Sequence, residues 1–159
     1  MLVSLKDITF PRSHKPMNVD PYVKPHLFTF SDGNEEAYGS PAYARWTLLD
    51  GTRVTNLIMS KAKLGPLTHK GEVVKNELSG ATYEARLKCW IIEHTKIYFG
   101  VHVHFLDSRI VQDMIMKESY CFNTFAGLRV GEIQKKTDIM RWLHIPSDEN
   151  IADILINGA

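Results

Sequence analysis

The chain has 159 residues, 44% apolar and 23% charged, with a formal net charge of +1. That is one domain's length with enough apolar material for a core, and the near-neutral charge excludes nucleic-acid binding by overall basicity, so any such contact must rest on a local patch. Cys89 and Cys121 make no disulfide framework, no run reaches the roughly 20 apolar residues of a membrane helix, and Met1 to Leu5 is too short for a secretory signal, so cytoplasmic or nuclear residence is the expectation.

Residues 1 to about 25 carry Pro11, Pro16, Pro21 and Pro25, a density that breaks helix and ladder alike, and read as an extended lead-in. His26 to Asp32 has two largely apolar faces, Phe28, Phe30 and Asp32 on one and Leu27, Thr29 and Ser31 on the other. This is the pattern of a central strand that ends on a carboxylate. Gly33 lets the backbone turn sharply behind it. Alone, Asp32 reads as a turn acid accepting nearby N–H groups; as a metal ligand it needs carboxylates from elsewhere in the chain. The stretch Glu36 to Trp46, the turn dipeptide Asp50-Gly51 and the stretch Thr52 to Ser60 complete an antiparallel meander of three strands. Lys61 and Lys63 follow before Gly65-Pro66, as solvated loop charge or as phosphate contacts.

From Val73 the period changes. Val74, Leu78, Ala81, Ala85, Cys89 and Ile92 recur at helical spacing and predict one long helix to about Thr95. Glu77 and Glu84 border its apolar stripe while Glu93 turns away, and a carboxylate against a core edge calls for a cation, from Lys, Arg or a metal ion. Val101 to Asp107 is a second apolar strand ending on an acid. His102 and His104 share its other face, and with Cys89 or His94 they match no closed zinc motif. Ser108 can cap a helix to about Lys117. A further helix, about Thr124 to Lys135, carries Gly127 and Gly131 on one closely packable face. Ile139 to Ile145 reads as a short strand stopped by Pro146. Ser147-Asp148-Glu149-Asn150 then opens a last helix, Ile151 to Leu155, with Asp153 in its first turn, where the helix dipole by itself favours an acid.

Asp32, Glu77, Asp107 and Asp153 thus come from four elements far apart in the chain. Crowded together, four carboxylates repel one another strongly unless divalent cations neutralise them. Oxygen-only donors suit Mg²⁺ or Mn²⁺, and two such ions are an arrangement for in-line displacement at phosphorus.

Six segments in order resemble the ribonuclease H region of BEL/Pao-type LTR retrotransposon polyproteins: Phe30-Ser-Asp-Gly-Asn-Glu-Glu-Ala-Tyr-Gly39, Ser60-Lys-Ala-Lys-Leu-Gly-Pro-Leu67, Asn76-Glu-Leu78, Leu106-Asp-Ser108, Phe125-Ala-Gly-Leu-Arg-Val-Gly-Glu-Ile133 and Trp142-Leu-His-Ile-Pro-Ser-Asp-Glu-Asn-Ile-Ala-Asp153. Phe10-Pro-Arg12 is similar to the segment that links polymerase and ribonuclease H in that family. The resemblance implies a connection segment over residues 1–25 and an RNase H-like α/β fold over 26–159, with a mixed five-stranded sheet, three antiparallel strands then two parallel, flanked by helices. It implies Mg²⁺- or Mn²⁺-dependent endonucleolytic cleavage of the RNA strand of an RNA–DNA hybrid, leaving a 5′-phosphate and a 3′-hydroxyl, beside a reverse transcriptase polymerase domain and in the cytoplasm, virus-like particles or nucleus. The family's four acids carry over as Asp32, Glu77, Asp107 and Asp153, both catalytic and metal-holding. The candidate substrate contacts are the backbone at Gly33 and Asn34, for 2′-hydroxyl readout, together with Ser108, Lys61 and Lys63.

Two departures bear on substrate affinity. The ending Ile154-Leu-Ile-Asn-Gly-Ala159 lacks an arginine usual in that family segment, and Val73 and Val74 stand where related enzymes place amides. They give the alternative of a catalytically weak or inactive relic that keeps the fold as a binding domain. Other two-metal nucleases fit less well: a proofreading exonuclease would want Glu where Asn34 stands, and an integrase would not use Glu77.

Overall fold

A computed structural model of the chain describes residues 13–69 and 71–157. Five strands form one mixed sheet in the order β3-β2-β1-β4-β5. β1 (His26–Gly33), β2 (Ala37–Thr47) and β3 (Arg53–Leu64) make the antiparallel meander; β4 (Val101–Leu106) runs parallel to β1, and β5 (Trp142–His144) parallel to β4. The helices are α1 (Val73–His94), α2 (Arg109–Ile115), α3 (Thr124–Lys136) and α4 (Ile151–Asn157). This is the mixed sheet with flanking helices that the sequence predicts. Residues 13–25 cross the end of the meander, where Val19 bridges Leu48 and the His14 carbonyl accepts from Asn56 Nδ2 at 3.1 Å. Phe10-Pro-Arg12 and the terminal Gly158-Ala159 lie outside the described residues.

Two apolar clusters lie under α1. Its first half packs Leu78, Ala81 and Ala85 with Leu106, Val111, Ile115, Val130, Ile133 and Trp142, while its second half sets Leu87 and Ile91 against Leu27, Ala42, Ala44, Trp46 and Ile58. The expected stripe therefore needs correction at both ends: Val74 and Ile92 are 38% and 40% exposed, and Leu87 and Ile91 are buried in their place. The cause is that α1 is sandwiched between the sheet and α3, so its first half is buried over a wide arc that includes Asn76, Ser79, Thr82 and Glu84. No single amphipathic stripe describes a helix covered on two sides. α4 lies on the other face, Leu155 against Gly39.

Two further boundaries differ from expectation. β3 continues through Lys61 and Lys63 to Leu64, so both lysines are strand residues and not loop charge. The stretch expected as a strand from Ile139 begins as a 3-10 turn, Ile139–Arg141, whose first residues are held by Asp138 Oδ1 accepting from the Met140 amide at 3.0 Å. Gly127 packs against the 3-10 turn Ser119–Cys121, where an added Cβ would come 2.8 Å from the Ser119 carbonyl.

At Gly80, midway along the first half of α1, an added Cβ would stand 2.8 Å from the Asp32 carbonyl oxygen. Alanine in a helix interior normally gains about 1 kcal/mol over glycine, but forcing α1 off the sheet costs about 1–3 kcal/mol. Gly80→Ala is expected to lose on balance up to about 2 kcal/mol, seen as a Tm lower by a few degrees in thermal unfolding; a higher Tm would show that the helix can retreat at no cost.

Candidate active site at the mouth of the sheet

Ser31 on β1 is opposite Leu106 on the adjacent parallel strand β4, so Asp32 and Asp107, one residue further on each, end their strands side by side. The start of α1 lies directly against this end of β1. A Cβ at Gly33 would stand 2.5 Å from the Asn76 carbonyl carbon and from the Glu77 nitrogen, so only glycine admits the helix backbone there. Asn76, fully buried, donates from Nδ2 to the Asn34 carbonyl at 2.8 Å and ties the helix to the turn beyond β1. Glu77, the next residue, accepts from Ser108 Oγ at 2.7 Å through Oε2. Ser108 also accepts from the Val111 amide as the cap of α2, so one hydroxyl fixes both Glu77 and the helix behind Asp107.

The fourth acid is brought in by an amide. Asn150 Nδ2 donates to the Ser31 carbonyl at 3.0 Å while Oδ1 accepts from the Ala152 amide at 3.1 Å, which ties the start of α4, and Asp153 with it, to the residue before Asp32. From β5, His144 Nε2 donates to the Asp107 carbonyl at 3.1 Å. Asn76, Asn150 and His144 were not singled out as site residues from sequence. The only sequence signals for them are their places beside Glu77, at a helix start and at a strand end.

Electrostatics registers the convergence. The Asp32 side chain, 9% exposed, has its pKa raised from 3.8 to about 6. Burial is the largest cause and Asp107 the next, with Asp153 and Glu77 adding; the Gly33 N–H donating to Asp32 Oδ1 at 2.7 Å works the other way. Glu77 is also raised, by burial first, against the Ser108 hydrogen bond and with help from Asp107. Among the described residues no three acids, histidines or cysteines stand close enough to hold a metal ion already. The two observations concern different ranges: like charges feel one another across several ångströms, beyond the distance at which three side chains ligate one ion. An all-oxygen donor set whose members raise each other's proton affinity fits a hard divalent cation.

The candidate substrate contacts are mostly turned to internal work. The Gly33 N–H donates to Asp32, the Asn34 N–H to the Ala37 carbonyl, and Asn34 Oδ1 accepts from the Glu36 and Ala37 amides. Ser108 is engaged by Glu77 and Val111. Lys61 and Lys63 pair across β2 with Ser40 and Tyr38, flanking the row that contains Asp32, and Lys61 Nζ lies 5.4 Å from the Trp90 ring centre.

The model of the Pao retrotransposon-like RNaseH-like domain family matches residues 2–108. The chain belongs to this family. The match takes in Asp32, Glu77 and Asp107 and stops before Asp153. Among solved structures, the N-terminal RNase H domain of rv2228c from Mycobacterium tuberculosis is similar with a TM-score of 0.52 and 12% identity, over 84% of this chain and 92% of that one. LC11-RNase H1, isolated from compost by a metagenomic approach, is similar with a TM-score of 0.51 and 16% identity, over 86% and 94%. At these identities the likeness is one of fold. No curated protein matches the sequence significantly.

The raised pKa of Asp32 makes the stability of this Pao-type domain depend on pH. Folded, Asp32 keeps its proton to about pH 6; unfolded, it releases it near 3.8. The stabilising proton is fully present below pH 4 and lost as pH rises through 6. In chelator, Asp32→Asn is therefore expected to be the more stable protein at pH 7.5, by on the order of 2 kcal/mol, and to lose much of the gain in Tm that the parent shows between pH 6.5 and 4.5. Thermal unfolding across that range checks it; parallel curves for the two proteins would contradict the convergence of charge.

Proposed function

We propose that the domain is a ribonuclease H of retrotransposon type, which hydrolyses the RNA strand of an RNA–DNA hybrid endonucleolytically with two Mg²⁺ or Mn²⁺ ions, and that it works beside a reverse transcriptase polymerase in a parent polyprotein, in the cytoplasm or in virus-like particles. The observation that supports it best is the proton affinity of Asp32, raised by burial first and then by Asp107, Asp153 and Glu77, which come from three other parts of the chain. Asp32, Glu77, Asp107 and Asp153 would hold the ions. Bound there, the ions would neutralise the acids and polarise the scissile phosphate as Lewis acids.

The chain's own residues then have separate tasks. Ser108 restrains the Glu77 carboxylate through Oε2, and Asn150 and His144 hold the ends of β1 and β4 through backbone carbonyls. A proton on Asp32 competes with a cation, so cation binding tightens as pH rises through about 6. Without cations, four acids would repel a polyanionic substrate; Lys61 and Lys63 on β3 are the candidate phosphate contacts. Because the N–H groups of Gly33 and Asn34 have internal acceptors, 2′-hydroxyl recognition at this turn would use carbonyl oxygens as acceptors.

A second reading, a fold-retaining domain that binds hybrid too weakly to turn over, is favoured by one observation. Val73 and Val74 open α1 with exposed apolar side chains beside Glu77. Steady multiple-turnover cleavage of a labelled hybrid would end that reading. Under the first reading, Asp107→Asn is expected to cut kcat by more than about a hundredfold, the upper range of effect for groups that only orient metal ligands. Hybrid cleavage that survives the substitution would remove Asp107 from the site.

A further inference from the structure

Beneath the acids lies a second polar triangle, built on the same three elements. Thr29 of β1, Glu84 of α1 and His104 of β4 are 0%, 0% and 1% exposed. Thr29 Oγ1 donates to Glu84 Oε1 at 2.6 Å, and His104 Nδ1 lies 3.0 Å from the same oxygen and 2.8 Å from Thr29 Oγ1. A proton on Nδ1 satisfies all three contacts. The expectation that Glu84 sits on the flank of α1 and meets Lys, Arg or a metal ion is thus corrected: it is inside the core, and its partners are a hydroxyl and an imidazole.

The spacing to the acids is uniform. Asp32 and Asp107 lie three residues beyond Thr29 and His104, which are themselves register partners, and three strand residues span about 10 Å. Glu77 lies seven residues, two helical turns, before Glu84, again about 10 Å. Each corner of the buried triangle therefore stands about 10 Å along its element from one acid, with Thr29 and His104 on the sheet face toward α1 and Asp32 and Asp107 on the alternate face. His104 is in turn held by the Trp142 ring, stacked at 4.6 Å between centres, and Trp142 Nε1 donates to Thr137 Oγ1 at 2.8 Å. Glu84 Oε2 is buried with no hydrogen-bond partner among the described residues. Stability alone favours an apolar side chain of that size at such a place.

We infer that Glu84, with Thr29 and His104, is a positioning residue: the triangle ties α1 to β1 and β4 and so sets how closely Glu77 approaches Asp32 and Asp107. This rests on the reading of those acids as cation ligands. Glu84→Leu fills the same space and leaves Thr29 and His104 to bond each other, but it unties the helix; Glu84→Gln keeps an acceptor at Oε1. Mn²⁺ titrated into the protein alone, followed by the electron paramagnetic resonance signal of the free ion, gives a readout apart from catalysis. E84L is expected to bind Mn²⁺ about tenfold more weakly and to lose kcat on hybrid with KM held, while E84Q stays near wild type in both. If E84L does not fold, Thr29→Val, which removes one hydroxyl, is expected to shift Mn²⁺ binding the same way by a smaller factor. Wild-type Mn²⁺ affinity in E84L or T29V overturns the inference while leaving the nuclease reading intact, and so does a loss in E84Q equal to that in E84L. A wild-type protein that takes up Mn²⁺ but does not cut hybrid ends the nuclease reading, and weakened uptake by E84L still upholds the positioning role.

Discussion

Like charges held together against their repulsion are the constraint around which the mouth of this sheet is organised. Asp32 could lower its energy by moving into water and away from Asp107, Asp153 and Glu77, and its proton affinity is raised by its burial first and by those acids next. What prevents the movement is backbone. Gly33 and Gly80 let α1 lie against the end of β1, and the Asn76, Asn150 and His144 side chains grip main-chain carbonyls rather than the acids themselves. The acids are placed by their strands and helices, and of their own hydrogen bonds Asp32 accepts from the Gly33 N–H through Oδ1 and Glu77 from the Ser108 hydroxyl through Oε2.

This division of labour runs through the domain. Apolar packing under α1 sets the overall layering, and glycines set the closest approaches. A small number of polar side chains then tie the elements to one another. The buried Thr29–Glu84–His104 triangle belongs to the last group, yet it lies in the core and couples three elements at once. Its polar contacts add directional constraints between helix and strands to the non-directional packing of leucine and alanine.

What could be read from the sequence follows from which signals are local. The two strands that end on Asp32 and Asp107 were legible because alternation and a following Gly or Ser sit within a few residues of each acid. The meander was legible from Asp50-Gly51, and a mixed sheet of three antiparallel strands then two parallel from the resemblance, while the order of the strands across it came only with the structure. The burial of Glu84 was not, since a glutamate two turns from another on a helix looks like a flanking charge until its partners, 55 and 20 residues away, are known. Val74 and Ile92 fall outside the buried arc of α1, and the packing of α3 that widens that arc leaves no local trace in the sequence. The roles of Asn76 and Asn150 depend on carbonyls of β1 and the turn after it, and a lone asparagine in sequence carries no sign of such a contact. The extension of β3 through Lys61 and Lys63 was hidden because lysine is a poor strand former that the ladder with β2 nevertheless admits.

That extension has a consequence for how copies of the domain behave toward each other. β3 is an outer strand of twelve residues, and among the described residues no strand pairs with its far side. It carries Arg53, Lys61 and Lys63 and no acid, so a second β3 approaching edge to edge would bring cation against cation. The opposite margin, β5, is only three residues long and offers little to pair with. The sheet is thereby guarded against self-association at one margin by charge and at the other by brevity, and neutralising the lysines would open a route to fibrous assembly without touching the fold.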